Sequence, residues 1–209
     1  MNISDSVTFL HPYVRFFNAT GAEHFDFYCC NTLAAAGLPS GSFSPYCKIA
    51  AGKQIFRLFK SGNKKDIQAQ ITLNSDIGSI FTLCAIKSSS GITLHAVSEP
   101  CIRESLQYGH IRICNLLSEN CRTNVYADNE CIAADIRYTE ISKYIAILPG
   151  KYRLQIKNSD DLSDIYVFSS QLIKPGKYNT LYIIENSTGP EKQQGIFTID
   201  AASYNGFYL

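Results

Sequence analysis

Tryptophan is absent from the 209 residues and methionine occurs once. No apolar run reaches the ~18 residues that a membrane-spanning helix needs. Neither sign of charge is in excess: 19 Lys+Arg stand against 18 Asp+Glu, a formal net charge of +1. A chain this neutral lacks the clustered cations through which nucleic acid is bound, so no nucleic-acid partner is expected. Charged residues make up only 18% of the chain, below the roughly 25% of an average domain. With 45% hydrophobic residues, the chain is too apolar for disorder. No C-x-x-C is present, which removes zinc ribbons and thioredoxin-type sites. The four histidines, His11, His24, His95 and His110, never stand three to five residues apart, so no metal spacing is visible. There is no G-x-S-x-G elbow and no glycine-rich phosphate loop; residues 37–41 place their serine wrongly for an elbow. Residues 1–6 carry no basic n-region, from which a cytoplasmic protein is expected. No catalytic, cofactor or metal residue is assigned.

What the chain does have is eight cysteines, 13 tyrosines and 12 phenylalanines. An even cysteine count invites a disulfide framework, but a reducing compartment favours free thiols. Cys84 and Cys114 lie in apolar, strand-like runs, where a thiol acts as a small hydrophobe. Cys29 and Cys30 are adjacent. Neighbours on a strand point to opposite faces, so no bridge between them is expected. A Cys–His hydrolase is the least favoured reading of the chain, for want of any flanking motif.

The chain repeats itself. Ser44-x-Tyr46-x-x-Ile49-x-x-Gly52-Lys53 recurs 98 residues later as Ser142-x-Tyr144-x-x-Ile147-x-x-Gly150-Lys151. Over residues 25–86 the offset gives 16 identities in 62 positions, where average composition gives about 4. One residue out of register, Val14-Arg15-Phe16-Phe17-Asn18 matches Ile111-Arg112-Ile113-Cys114-Asn115. Two homologous domains follow, 8–98 and 108–202, with a linker at 99–107 and an aromatic C-terminal extension at 203–209. Short β-rich runs alternate with Gly, Pro, Asn and Ser clusters, and each unit has the length of a β-sandwich. Seven strands are predicted per unit, near 13–18, 25–30, 43–50, 53–60, 66–73, 79–87 and 91–97 and at matching places in the second. Residues 33–36 are the best helical stretch, worth one turn at most before Gly37 and Pro39.

The shared motif predicts a strand, a bend and a second strand. Pro149-Gly150 has the type II signature, with glycine taking the positive φ; a β-branched residue at Gly150 should then strain a hairpin, and Gly52 holds the equivalent place. Tyr46 and Tyr144 are expected to share a packing role. Arg15 and Arg112 are expected on an outer face, their stems covering the sheet, with a repeated anion site as the other reading.

These residues resemble the domain of unknown function DUF4397, in two tandem copies. That family's pattern runs V-R-V-x-H/N, then a V-D-V-Y-like strand, a Ser-x-Tyr strand, a P-A-G-T/K-Y turn and a closing Y-T-like strand. Residues 14–18, 25–28, 44–53 and 81–82 play those parts, and 111–115, 124–126, 142–152 and 178–180 play them again. The resemblance implies an all-β chain of two tandem immunoglobulin- or transthyretin-like antiparallel β-sandwiches. It also implies a cell-surface or secreted location as the alternative to a cytoplasmic one. It supplies no catalytic residues.

One contrast between the copies stands out. The first carries Lys60, Lys64 and Lys65 in a loop whose counterpart carries Asp160, Asp161 and Asp164. The acidic copy lacks the spacing of a Ca²⁺ loop and reads as a solvated turn. Opposite charges on equivalent loops suggest contact between molecules. The sequence reading is therefore a non-catalytic structural or interaction protein with a protein partner, itself or another. The alternative is a carbohydrate- or peptide-binding module using an aromatic interdomain surface.

Overall fold

The computed structural model describes residues 11–21, 23–99, 106–117, 120–187 and 192–204. Of the expected linker (99–107) and C-terminal extension (203–209), residues 100–105 and 205–209 lie outside them. The chain forms two compact units, one from the described residues before 100 and one from those after 105.

The first unit contains β1 (Tyr13–Asn18), β2 (Phe25–Cys29), β3 (Thr32–Leu38), β4 (Cys47–Lys48), β5 (Gly52–Lys60), β6 (Ile67–Ser75), β7 (Ile80–Ser88) and β8 (Gly91–Ser98). The second repeats the series as β9 (Gly109–Asn115), β10 (Thr123–Ala127), β11 (Glu130–Ile136), β12 (Ile145–Ile147), β13 (Gly150–Asn158), β14 (Asp164–Ile173), β15 (Tyr178–Glu185) and β16 (Gln193–Ile199). One four-stranded sheet runs β4-β1-β7-β8 and the other β3-β2-β5-β6; their counterparts run β12-β9-β15-β16 and β11-β10-β13-β14. The all-β sandwich expected from the sequence is what the chain forms.

It is not wholly antiparallel. β1 pairs with β7, and β9 with β15, in parallel. A parallel pair needs a long connection, and most of each unit's chain lies between those strands. This register sets Arg15 opposite Thr82 and Arg112 opposite Thr180.

Alternate residues of β1 and β7 fill the core: Val14, Phe16, Leu83 and Ala85 pack with Phe25, Phe27, Phe56 and Leu58. In the second unit Ile111, Ile113, Leu181 and Ile183 meet Val125, Leu154 and Ile156. Thus an aromatic core in one copy is aliphatic in the other. The opposite face of the same strands is buried too: Phe17, Thr82 and Cys84, with Cys114, Thr180 and Tyr182, all have no exposure. Across the parallel pair Phe17 stands beside Cys84, and Cys114 beside Tyr182. The large and small partners have changed strands, which conserves volume at one site, as close packing requires.

The strands β3 and β11 were not legible. Leu33-Ala34-Ala35-Ala36 favours helix by propensity, yet it pairs with β2 through two register shifts, and β11 pairs with β10 through two at the same places. Gly37 (φ 56°) and Asp135 (φ 55°) take the left-handed turn at this bulge. Their N–H groups donate to Asp26 Oδ1 (2.6 Å) and Asn124 Oδ1 (2.8 Å). Tertiary pairing outweighs a few tenths of a kcal/mol of helix preference.

The Ser-x-Tyr motif is mostly not strand. β4 is two residues long and pairs with β1, whereas β5 pairs with β2 and β6. The bend at Gly52 therefore carries the chain from one sheet to the other and closes no hairpin. Where β4 gives out, Ser44 Oγ accepts the N–H of Phe16 (2.9 Å), and Ser142 Oγ that of Ile113 (2.9 Å).

The expected strain at Gly150 is also corrected. Gly52 has φ 95°. Gly150 is the first residue of a strand without a positive φ, and a Cβ there would meet the Tyr152 ring no closer than 3.4 Å. Gly52→Val should therefore destabilise by about 1–3 kcal/mol, and Gly150→Ala by no more than about 0.5 kcal/mol. Urea unfolding of the two variants checks the contrast.

Candidate functional site

Arg15 and Arg112 do stand on the sheet face opposite the hydrophobic core, beside Thr82 and Thr180, but that face is buried and their heads are not solvated. Each is buried, at 3% and 4% exposure, at the centre of a polar cluster that recurs in both units. Arg15 Nε donates to Thr82 Oγ1 (2.7 Å), which donates to Glu99 Oε1 (2.5 Å). Arg15 Nη2 lies 3.3 Å from the same oxygen. Tyr46 donates its hydroxyl proton to Glu99 Oε2 (2.6 Å), and its ring lies 4.9 Å from the guanidinium carbon. In the second copy Arg112 Nε donates to Thr180 Oγ1 (2.8 Å). Thr180 and Tyr144 both donate to Asp200 Oδ2 (2.6 and 2.5 Å), and the Tyr144 ring sits 4.7 Å from Arg112 Cζ. The carboxylate directly follows the last strand of its unit in both cases. Tyr46 and Tyr144 thus do share a role, as hydrogen-bond donors to a buried carboxylate. A guanidinium held by a hydroxyl and a carboxylate of its own chain is a structural centre.

Open concavities lie elsewhere, at equivalent places in the two units. In the first, Cys29, Cys30, Leu33, Cys47, Lys48 and Gln54 line a cavity of about 410 Å³. In the second, Tyr108, Asp128, Glu130, Leu148 and Tyr152 line one of about 700 Å³. Both are framed by the short hairpin after β2 or β10 and by the crossover into β5 or β13. The hairpin turn is left-handed at Cys30 (φ 53°) and at Asp128 (φ 52°). That turn brings Cys29 and Cys30 to one side, against the expectation of opposite faces. Their Sγ atoms lie 3.7 and 3.3 Å from the same Gln54 Oε1.

The seven described cysteines are free thiols; Cys101 lies outside the described residues. Burial, then the neighbouring Cys30 and Cys47, pushes Cys29 up to about 11. Burial pushes Cys114 up to about 12 and also raises Cys47 and Cys121. A nucleophilic cysteine needs its thiolate favoured, and at these four it is disfavoured. Among the described residues no group of three or more His, Cys, Asp or Glu is placed to hold a metal ion.

The charged loops end the β5–β6 and β13–β14 hairpins. Lys60 pairs with Glu23 (3.1 Å), and Lys64 Nζ lies 5.1 Å over the Tyr28 ring. The main-chain N–H of Lys65 donates to Asn63 Oδ1 (3.0 Å). Asp160 pairs with Arg122, Asp164 with Lys157 (3.4 Å), and Asp161 Oδ1 accepts from Ser163 N–H (2.9 Å) and Oγ (2.6 Å). The Ser163 bonds hold the Asp161 carboxyl below its ordinary value. Lys60, Asp160 and Asp164 are thus each paired with an opposite charge from elsewhere in their own unit.

Fold and sites together define a tandem β-sandwich protein. Residues 109–203 match the family model described as domain of unknown function DUF4397. The match covers one copy, not the two that the resemblance implied. No curated protein matches the chain. Among solved structures, the chain is similar to a family 26 carbohydrate-binding module from Eubacterium rectale Amy13K, in complex with maltoheptaose. Identity is 10%, coverage 90% of this chain and 95% of that one, and the TM-score 0.27. It is also similar to a candidate cell adhesion protein from Bacteroides uniformis, at 8% identity, 95% and 99% coverage and a TM-score of 0.28. A third, from Bacteroides fragilis, is likewise a candidate cell adhesion protein, at 10% identity, 90% and 96% coverage and a TM-score of 0.21. No helix among the described residues is long and apolar enough to cross a membrane. Neither fold nor comparisons support the cytoplasmic location expected from residues 1–6, which lie outside the described residues.

Proposed function

We propose that this is a non-catalytic interaction protein, and that the first unit is a second, diverged copy of the domain matched in the other. Its ligand-facing surfaces are the two equivalent cavities. The observation that supports this is their position: one frame of hairpin and crossover, built twice on rigid strands and lined differently each time. The second cavity offers Tyr108, 39% exposed, and Leu148, 65% exposed, beside the carboxylates of Asp128 and Glu130. Apolar faces flanked by a few convergent polar groups suit a short glycan or an extended peptide. This moves the aromatic platform from the domain junction, where the sequence reading put it, into the second unit. Saturation-transfer NMR of the full chain against panels of oligosaccharides and short peptides tests it. Tyr108→Ala and Glu130→Gln should each weaken the responding ligand about tenfold, near the energy of one good contact. No responding ligand, or one indifferent to both variants, rejects the reading.

The loops carrying Lys60, Lys64 and Lys65 and carrying Asp160, Asp161 and Asp164 take a lesser part in this proposal, as a steering contact between molecules. Exposed pairs contribute only ~0–1 kcal/mol, so the expected self-association is weak and confined to low salt. Sedimentation velocity across a salt series, with Lys64→Glu and Lys65→Glu together, checks it. Behaviour unchanged by salt and by charge reversal discards the contact.

A further inference from the structure

We propose that the Cys29–Cys30 pair at the first unit's cavity is a two-thiolate site for a thiophilic monovalent cation of the Cu(I) class. The inference goes beyond the ligand assigned to the second unit and does not depend on it.

Three features carry it. The first is convergence: both sulfur atoms approach one point, the Gln54 carbonyl oxygen, at 3.7 and 3.3 Å. Adjacent cysteines on a regular strand could not do this; the left-handed Cys30 makes it happen. The second is that cysteine is a poor choice for that backbone. Left-handed positions favour Gly, Asn and Asp, and the second unit places Asp128 there at φ 52°. A residue held against its preference is a pointer to function. The third is that the sandwich does not need these thiols. The positions of Cys29, Cys30, Cys47 and Gln54 are Ala127, Asp128, Ile145 and Tyr152 in the other copy, which builds the same strands and sheets.

The donor set selects the ion. Zn²⁺ takes four ligands in a structural site, and among the described residues no third His, Cys, Asp or Glu joins this pair in a metal-binding group. Cys47 lines the same cavity but directs its thiol at the carbonyl oxygens of Ala34 (3.9 Å) and Pro45 (3.7 Å). Thiolates suit Cu(I), Zn²⁺ and Fe–S clusters; the last two take four ligands, so a set of two points to Cu(I). Binding is proton exchange without redox change: two thiols and one Cu⁺ give a bis-thiolate complex of net charge −1 and two protons. Lys48, lining the cavity, offsets that charge. Gln54, 8% exposed, accepts from both thiols. A rotation of its amide would present an N–H to the thiolates instead, the outer-shell support such ligands use. Each thiol must lose its proton to bind, so uptake competes with protons and strengthens with pH.

The test uses the reduced full chain under anaerobic conditions, with Cu(I) supplied as its coloured bicinchoninate complex. Cys29→Ala with Cys30→Asp copies the hairpin of the second unit, so the variant keeps a turn that this fold already uses. The expected result is one fewer equivalent of Cu(I) taken by the variant than by the native chain, with a matching loss of two released protons. Gln54→Leu should weaken uptake at this site several-fold, and Cys131→Ser, at an exposed thiol in the second unit, should leave it unchanged. Equal uptake by the native chain and the hairpin variant overturns the proposal, as does a lost equivalent unaccompanied by proton release.

Discussion

Replacing Glu99 by alanine should destabilise the first unit by about 3–5 kcal/mol, the range for breaking a buried ion pair from one side. Glu99 is 2% exposed and Arg15 3%. The substitution leaves a buried guanidinium without this carboxylate, and it removes the acceptor of the Thr82 and Tyr46 hydroxyls. Asp200→Ala should act alike in the second unit, because Asp200 Oδ2 accepts from Thr180 and Tyr144 and lies 3.4 Å from Arg112 Nε. Tyr46→Phe removes one hydrogen bond to a charged acceptor and should cost about 1.5–3 kcal/mol. The informative partner is the fourfold change Arg15→Met, Tyr46→Phe, Thr82→Val and Glu99→Leu. Removing every polar member leaves nothing buried and unpaired, so it should recover most of the loss. Urea unfolding, with the slope compared between variants, measures all four. A Glu99→Ala loss below about 1 kcal/mol, the range of an exposed pair, means the cluster is wet and the argument from burial fails.

How much of this could be read beforehand depended on whether the signal was local. The duplication was legible because identical residues recur at one offset, and those residues hold the frame: Ser44, Tyr46, Gly52 and Thr82. Strands that alternate or run apolar, such as β7 with Phe81, Leu83 and Ala85 inward, declare themselves by pattern. β3 did not, because its alanines carry no period and its partner strand supplies the reason to extend. The arginines were misread for a related cause. A strand arginine is most often an outer-face residue with a solvated head. Only the parallel register, set by a partner 67 positions away, turns its side chain onto a threonine and a carboxylate. Glu99 itself had no signal, since its equivalent is a differently spaced aspartate, Asp200. The cavities were invisible in the same way: Cys29 and Cys30 looked divergent under the strand rule, and one left-handed turn reverses it.

Asn18→Ala and Asn115→Ala are each expected to cost about 2–4 kcal/mol, because these side chains replace a stretch of missing backbone pairing. Each asparagine ends the first strand of its unit and has no exposure. Asn18 Nδ2 donates to the carbonyls of Glu23 (2.6 Å) and Leu38 (2.9 Å), and its Oδ1 accepts from Thr20 N–H (3.2 Å) and Oγ1 (2.8 Å). Asn115 Nδ2 donates to the carbonyls of Cys121 (2.9 Å) and Ile136 (2.9 Å), and its Oδ1 accepts from Leu117 N–H (3.1 Å). One amide therefore ties the end of β1 to the chain entering β2 and to the end of β3, and its counterpart does the same for β9, β10 and β11. Alanine leaves at least two main-chain groups without that partner, each worth about 1–3 kcal/mol when buried, less whatever water recovers. Aspartate at either position keeps the acceptor but replaces the amide donor with a second carboxylate oxygen facing two carbonyls, so it should be worse than alanine. Histidine can donate from the ring to only one carbonyl at a time in its place and should fall between asparagine and alanine. Thermal unfolding of the three variants at each site checks the order. Aspartate tolerated as well as asparagine would mean the two donor bonds carry little of the stability, and that the acceptor side alone fixes this asparagine in the motif.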